Sequence, residues 1–264
     1  MLKQSLNNLG ESLPPLGRGE IHVWHFGLDV DPGALPALRA LLDDTERGRA
    51  DRFYRAIHGN RFTVGRATLR RMLAGYTGAS PEGLAFTYGP DGKPGLHPDA
   101  HPDHVCFNLS HSGDFAACAV RRERAVGLDI EMIRPSPDFL KIARRFFAPD
   151  EAEQLEALPA GEQLAAFYQC WTAKEALVKA WGQGLSAPLD QFSVRVAPRE
   201  TALLRIDFSD RAAEAWQVRA IAAPPGFACA LASEGPAGAV RVGSITPAPW
   251  RATMESTGLA LNGP

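Results

Sequence analysis

Residues 105–131 read VCFNLSHSGDFAACAVRRERAVGLDIE, and this stretch decides the fold. Two short apolar runs, 105–109 and 115–120, are separated by the polar turn SHSGD, and a third run, AVGLDIE (125–131), follows four charged residues. Apolar runs of this length bounded by turn residues predict strands, and runs so closely spaced predict an antiparallel sheet. Downstream, residues 138–158 and 162–181 carry apolar side chains at helical spacing. FSVRV (192–196), WQVRAIA (216–222) and FACALA (227–232) read as closing strands, the last two joined by a Pro-Pro-Gly turn.

Upstream, IHVWHFGLDV (21–30) reads as a strand, residues 34–55 and 57–76 as helices, and AFTYGPDGKPGL (85–96) as a strand entering a Gly/Pro turn. The composition breaks at HPDAHPDH (97–104). The reading is therefore α+β, with one subdomain over 20–103 and a second over 104–232. The ends, 1–19 and 233–264, are polar or rich in small residues, Gly and Pro, and are expected to be peripheral or flexible.

The chain has 264 residues, 45% hydrophobic and 22% charged, a balance that suits a soluble globular protein and not a disordered, fibrous or membrane-embedded one. It contains no run of 18 apolar residues and no apolar block followed by a small-residue cleavage site, which predicts a cytoplasmic location. Cys106, Cys118, Cys170 and Cys229 lack C-x-x-C spacing and lie in apolar stretches, so buried thiols are expected. The net charge of −2 hides a basic region: residues 45–71 hold Arg47, Arg49, Arg52, Arg55, Arg61, Arg66, Arg70 and Arg71 against only Glu46 and Asp51. That excess reads as an anion-binding face, although any one arginine can be an ordinary solvated helix position. No zinc finger or RNP-type motif accompanies it, which argues against nucleic acid.

Asp129 and Glu131 are two residues apart on a strand and so project from one face, about 6–7 Å apart at the backbone. At an effective dielectric near 20 their repulsion is about 2–3 kcal/mol, which a bound divalent cation would convert into attraction. A solvated strand end, with Ile130 facing the core, explains the same pair. In FYQCWTAKEALVKAW the apolar stripe Phe167, Cys170, Trp171, Val178 and Trp181 passes beside Lys174 and Glu175. Charges bordering a buried stripe suggest a roofed polar site in which Glu175 supplies a third carboxylate, with Lys174 and Lys179 beside it. A simple i,i+4 surface pair of Glu175 with Lys179 is the alternative. Residues 108–113, NLSHSG, offer hydroxyl, imidazole and glycine donors for phosphate oxygens. A Ser110–His111 nucleophile and base pair is disfavoured, because adjacent residues on a strand face opposite ways. Lys93 lies in the GKP turn and is one of only five lysines, so a compact ammonium for phosphate is suggested there.

Together YGPDGKP, FNLSHSG, VGLDIE and FYQCWTAKEALVKAWGQGL resemble, in order and spacing, the signature segments of the phosphopantetheinyl transferase superfamily in its surfactin-type (Sfp-like) branch. The resemblance covers roughly residues 45–232. It implies a pseudo-twofold monomer of two similar α+β halves with coenzyme A and Mg²⁺, or Mn²⁺, in the cleft between them. It also implies transfer of the phosphopantetheine arm to a serine of an apo acyl or peptidyl carrier protein, with release of adenosine 3′,5′-bisphosphate. Asp129, Glu131 and Glu175 match the metal-binding acids, and Glu175 also matches the candidate base; a metal-bound water is an equal route for the proton. Lys174 and Lys179 match residues near the pyrophosphate, Lys179 as a catalytic group. Ser110 and His111 match the phosphate-contacting turn, Lys93 the lysine of G-K-P, and Arg49, Arg52, Arg61 and Arg66 the basic residues near the 3′-phosphate. A Mg²⁺-dependent phosphohydrolase and a non-catalytic coenzyme A-binding module are the competing expectations.

Overall fold

The computed structural model describes residues 12–89, 92–100, 104–184, 187–196, 203–207, 212–236 and 238–254. Residues 1–11 and 255–264 of the expected tails, and Pro90 and Asp91 of the expected turn, lie outside the described residues. Strand β1 (Ile21–Gly27) leads into α1 (Leu35–Ala40), α2 (Asp44–Asp51) and α3 (Ala56–Thr77), then into a hairpin of β2 (Phe86–Tyr88) and β3 (Pro94–Leu96). The opening stretch forms β4 (Val105–Ser112), β5 (Phe115–Arg122) and β6 (Val126–Met132). Helices α4 (Phe139–Phe146), α5 (Pro149–Ala157) and α6 (Ala160–Trp181) follow, then β7 (Phe192–Val194), β8 (Leu203–Ile206), β9 (Trp216–Ala220), β10 (Phe227–Glu234), β11 (Val240–Pro247) and β12 (Trp250–Met254).

The fold is α+β, as the sequence predicts, and its two halves share a plan. A five-stranded sheet in the order β12-β11-β1-β5-β4 carries α3, and a three-stranded sheet in the order β6-β10-β9 carries α6. Both helices have 22 residues and end on a left-handed glycine, Gly78 and Gly182, whose N–H returns to the carbonyl of Ala74 and Val178. Gly127 lets α6 lie directly on β6, because a Cβ there would collide with the Ala176 carbonyl oxygen and with Ala180.

Three apolar clusters hold this together. Trp24, Phe26, Leu69, Met72, Leu73, Phe107 and Val120 pack between the larger sheet and α3. Phe167, Cys170, Leu177 and Trp181 pack with Phe192 and Val218 in the second half. Ile21, Val23, Ala117 and Ala119 meet Leu128, Ile130, Cys229 and Leu231, which joins the two sheets face to face. β1 is covered on both sides, which explains why IHVWHF is buried at every position.

Five expectations need correction. The division at 103/104 falls inside the first half, because β4 and β5 pair with one another and β5 with β1. The helix expected at 34–55 breaks at Asp43, which caps α2 reciprocally with Glu46. The helix expected at 138–158 breaks at Phe147–Ala148, with Pro149 in the first turn of α5. The C-terminal segment is not peripheral over 240–254: β11 runs parallel to β1, and Val240 and Ile245 join the cores. At the other end Leu16 is buried in the first core, where an N-terminal tail had been expected.

His22 is fully buried on β1, its Nδ1 2.8 Å from the Tyr76 hydroxyl, which also accepts a hydrogen bond from Trp24 Nε1 at 2.7 Å. Burial holds its imidazole below the ordinary range; Glu20 pulls the other way and Arg241 adds to the lowering. Unfolding therefore takes up a proton below about pH 6.5, the free histidine value, and stability is lost as the pH falls through that window. Thermal melts of His22→Gln between pH 7 and 5 should show a shallower fall than the parent; parallel curves would exclude His22 as the source.

Candidate active site

β4 and β6 run side by side at the seam of the two sheets, yet belong to different sheets. Side chains bridge them. Asn108 Oδ1 accepts the Leu128 N–H at 2.7 Å, Ser110 Oγ the Ile130 N–H at 3.5 Å, and Ser112 Oγ the Met132 N–H at 3.1 Å. These three residues alternate along β4 and so share one face. The same hydroxyls aim the acids of β6: Ser110 donates to Asp129 Oδ1 at 2.8 Å and Ser112 to Glu131 Oε2 at 2.6 Å.

α6 completes the site from the other side. Glu175 and Lys179 are one helical turn apart, and Lys179 Nζ lies 2.5 Å from Asp129 Oδ1 and 2.9 Å from Ser110 Oγ. Asp129 is 3% exposed, and its Oδ2 has no hydrogen-bond partner among the described residues. Burial pushes the Glu175 carboxyl above its usual range; Lys179 opposes this, and the charges of Asp129 and Glu131 add to it. Glu131 is also raised by burial, with Asp129 adding and the Ser112 hydrogen bond opposing. Asp129 and Glu131 both raise Glu175, and Asp129 raises Glu131, so the three acids lie within electrostatic reach of one another. Among the described residues, however, no three His, Cys, Asp or Glu side chains are placed closely enough to hold a metal ion together.

His111 faces away from Ser110 and is exposed, and its ring hydrogen-bonds its own backbone. Packing against its inner side holds its imidazole below the ordinary range, and Lys179 and Arg49 lower it further while Asp129 opposes them. Ser110 is held by Asp129 and Lys179, so the Ser110–His111 dyad does not form, and Ser110 orients an acid where a phosphate contact had been expected. Arg49 and Lys179 thus bring two cations, with the neutral His111 ring near both, to the edge of the acids.

Other expected ligands lie elsewhere. Lys174 is fully buried, and its ammonium donates to both oxygens of Glu151, at 2.8 and 2.6 Å, and to the Phe192 carbonyl at 2.7 Å. It is one position from Glu175 but about 100° around the helix, which turns it into the second core and away from a pyrophosphate. Arg66 is buried against Glu46, with a hydrogen bond to Tyr88. Arg70, one turn on, shares that carboxylate and also pairs with Asp43, so Glu46 and Asp43 together offset these two arginines. Arg61 binds both oxygens of Asp29 at 2.7 Å and donates to the Gly113 carbonyl. Lys93 donates to the Val126 and Lys179 carbonyls, at 3.2 and 2.5 Å, and so fastens the β2–β3 hairpin to the end of α6. It lines a cavity of 480 Å³ with Leu96, Cys106, Phe107 and Val126, and none of the three acids borders that cavity. Arg52 is exposed. The sequence reading missed Asn108 and Ser112 as bridging residues, although the i, i+2, i+4 alternation of Asn108, Ser110 and Ser112 was there to be read.

Residues 33–123 match the family model of the 4′-phosphopantetheinyl transferase N-terminal region, and residues 125–232 match that of the 4′-phosphopantetheinyl transferase superfamily. The junction of the two matches coincides with the structural division after β5. The 4′-phosphopantetheinyl transferase HetI of Nostoc sp. (strain PCC 7120 / SAG 25.82 / UTEX 2576) is 38% identical over 216 residues, which cover 82% of this chain and 88% of that one. The 4′-phosphopantetheinyl transferase Sfp of Bacillus subtilis (strain 168) is 31% identical over 199 residues, 75% of this chain and 84% of that one. A further 4′-phosphopantetheinyl transferase of Bacillus subtilis is 36% identical over 169 residues, 63% and 72% of the two chains. With both halves matched and relatives similar across most of their length, the chain belongs to the 4′-phosphopantetheinyl transferase superfamily.

Proposed function

We propose that this protein transfers the 4′-phosphopantetheine arm of coenzyme A to a serine hydroxyl of an apo acyl or peptidyl carrier protein and releases adenosine 3′,5′-bisphosphate. It works as a cytoplasmic monomer, with Asp129, Glu131 and Glu175 holding Mg²⁺ or Mn²⁺. The observation that carries the site is its charge: three carboxylates face one ammonium, Lys179, which leaves two negative charges uncompensated among these four side chains. The buried, unpartnered Asp129 Oδ2 fits a hard divalent cation, as does the all-oxygen donor set. Such a cation supplies charge neutralisation at a pyrophosphate, the main need of a phosphoryl transfer.

The chain's own residues supply the rest. Lys179 brings an ammonium to the pyrophosphate, and the rim of Arg49 and His111 offers donors to a further phosphate. Ser110 and Ser112 fix the two strand acids so that they need not reorganise during reaction. Glu175 makes no hydrogen bond among the described residues, which leaves its carboxylate free to take the proton of the attacking hydroxyl. Burial raises the Glu175 carboxyl in the metal-free site and a divalent cation held there would oppose that rise, so Glu175 and a water beside the cation are equal routes for the proton.

Incubation with coenzyme A, Mg²⁺ and a panel of apo carriers should add one phosphopantetheine mass to at least one of them; no gain on any carrier overturns the assignment. After dialysis against a chelator the protein should stay folded, melt somewhat lower and lose transfer, with Mg²⁺ or Mn²⁺ restoring both. Full transfer by the chelated protein would remove the metal from the reading.

A further inference from the structure

We infer that the corner between α2 and α3, around Tyr54, is a docking surface for the carrier protein and takes an acidic face of that partner with an apolar centre. The inference rests on the transfer reaction proposed above. Three of the six exposed large apolar side chains among the described residues sit in this corner: Tyr54 at 100% exposure, Ile57 at 44% and Phe53 at 39%. Arg52 and Arg55 are interleaved with them, exposed and without an ion-pair partner among the described residues. The neighbouring Arg47, Arg61, Arg66 and Arg70 all have acidic partners, so the surplus positive charge of residues 45–71 concentrates at this corner.

An exposed tyrosine between arginines has the composition of an interface anchor. A small molecule needs a concave pocket, and a ring this fully in solvent offers none. A second copy of the chain, meeting this one about a twofold axis through the corner, would set Arg52 and Arg55 near their own copies and be repelled. An acidic protein surface satisfies both the charge and the apolar centre.

The corner is also placed for the work. The Phe53 ring packs 5.7 Å from Phe62, and the Arg49 guanidinium lies 5.1 Å from the same ring. Arg61, beside Phe62 in the chain, donates to the Gly113 carbonyl, in the turn that follows His111 and Ser112. A partner seated at Tyr54 therefore adjoins the rim of the acid site, where its serine must arrive.

The test combines Tyr54→Ala, Arg55→Glu and Ile57→Ser in one variant, assayed with the same apo carriers and, for binding, with a carrier whose acceptor serine is alanine. The carrier KM and Kd should rise at least about tenfold, with kcat at saturating carrier and the Kd for coenzyme A changed by less than about twofold. The parent's KM should rise with salt and the variant's much less. An unchanged carrier KM in the variant beside normal transfer by the parent overturns the docking surface and leaves the reaction standing. A parent that modifies no carrier brings down the reaction and the docking with it. Sedimentation showing a parent dimer that the variant dissolves would give the corner to self-association and overturn the proposal.

Discussion

Glu175→Ala is expected to lose transfer activity by at least about 100-fold, or about 2.7 kcal/mol of transition-state stabilisation, while melting no lower than the parent. The two signs have one origin. Burial and the charges of Asp129 and Glu131 raise the Glu175 pKa, so the ionised group is less stable in the fold than in water, and removing it relieves the protein. A residue kept against its own stability is kept for function. Asp129→Ala should lose activity on the same scale, but it should also lower the melting temperature, because Asp129 Oδ1 takes hydrogen bonds from both Ser110 and Lys179. Steady-state rates beside thermal melts test both at once. Near-parental activity in either variant would refute the acid site, and a large destabilisation by Glu175→Ala would make that residue a structural one.

The largest stability effect should come from Glu151. Its carboxylate accepts two hydrogen bonds from Lys174 Nζ and one each from the Ala148 and Val194 N–H groups, at 2.8 and 2.7 Å. Both side chains are 0% exposed, and the ammonium also sits over the rings of Phe147 and Phe192. Burial still pushes the Glu151 carboxyl upward against the pull of Lys174, as expected when desolvation rivals attraction. The pair is therefore a modest source of stability when whole and a large liability when broken. Glu151→Ala strands a buried ammonium and should destabilise by about 3–5 kcal/mol in urea unfolding. Lys174→Met strands the anion and should be similar. Glu151→Gln combined with Lys174→Met removes both charges, keeps an acceptor for a backbone N–H, and should be less destabilised than either single variant. If Lys174→Met instead folds at parental stability and weakens coenzyme A binding, Lys174 returns to the pyrophosphate.

Much of this protein is legible in its sequence because its signals are local. The short apolar runs of 105–131 are the strands observed, and the stripe from Phe167 to Trp181 is the buried face of α6. Asp129 and Glu131 share a face because a strand allows nothing else, and Glu175 and Lys179 share one because a helix turns every 3.6 residues. The family motifs lie on these same elements.

What the sequence did not reveal depends on partners far along the chain. Eight arginines in 27 residues look alike in a sequence; only the fold brings Glu46 to Arg66 and Arg70, and Asp29 to Arg61, and, with Arg47 on Asp44, leaves Arg49, Arg52, Arg55 and Arg71 without an ion-pair partner among the described residues. Lys174 and Lys179 look equivalent until β7 and α5 close over one and β6 comes to the other. The C-terminal strand was missed for the same reason: the stability of β11 comes from its pairing with β1, more than 200 residues earlier. Short-range periodicity determined the elements and the faces of the acids. The tertiary structure decided which charges are neutralised, because that is set by long-range contacts and by burial, and neither has a local signature.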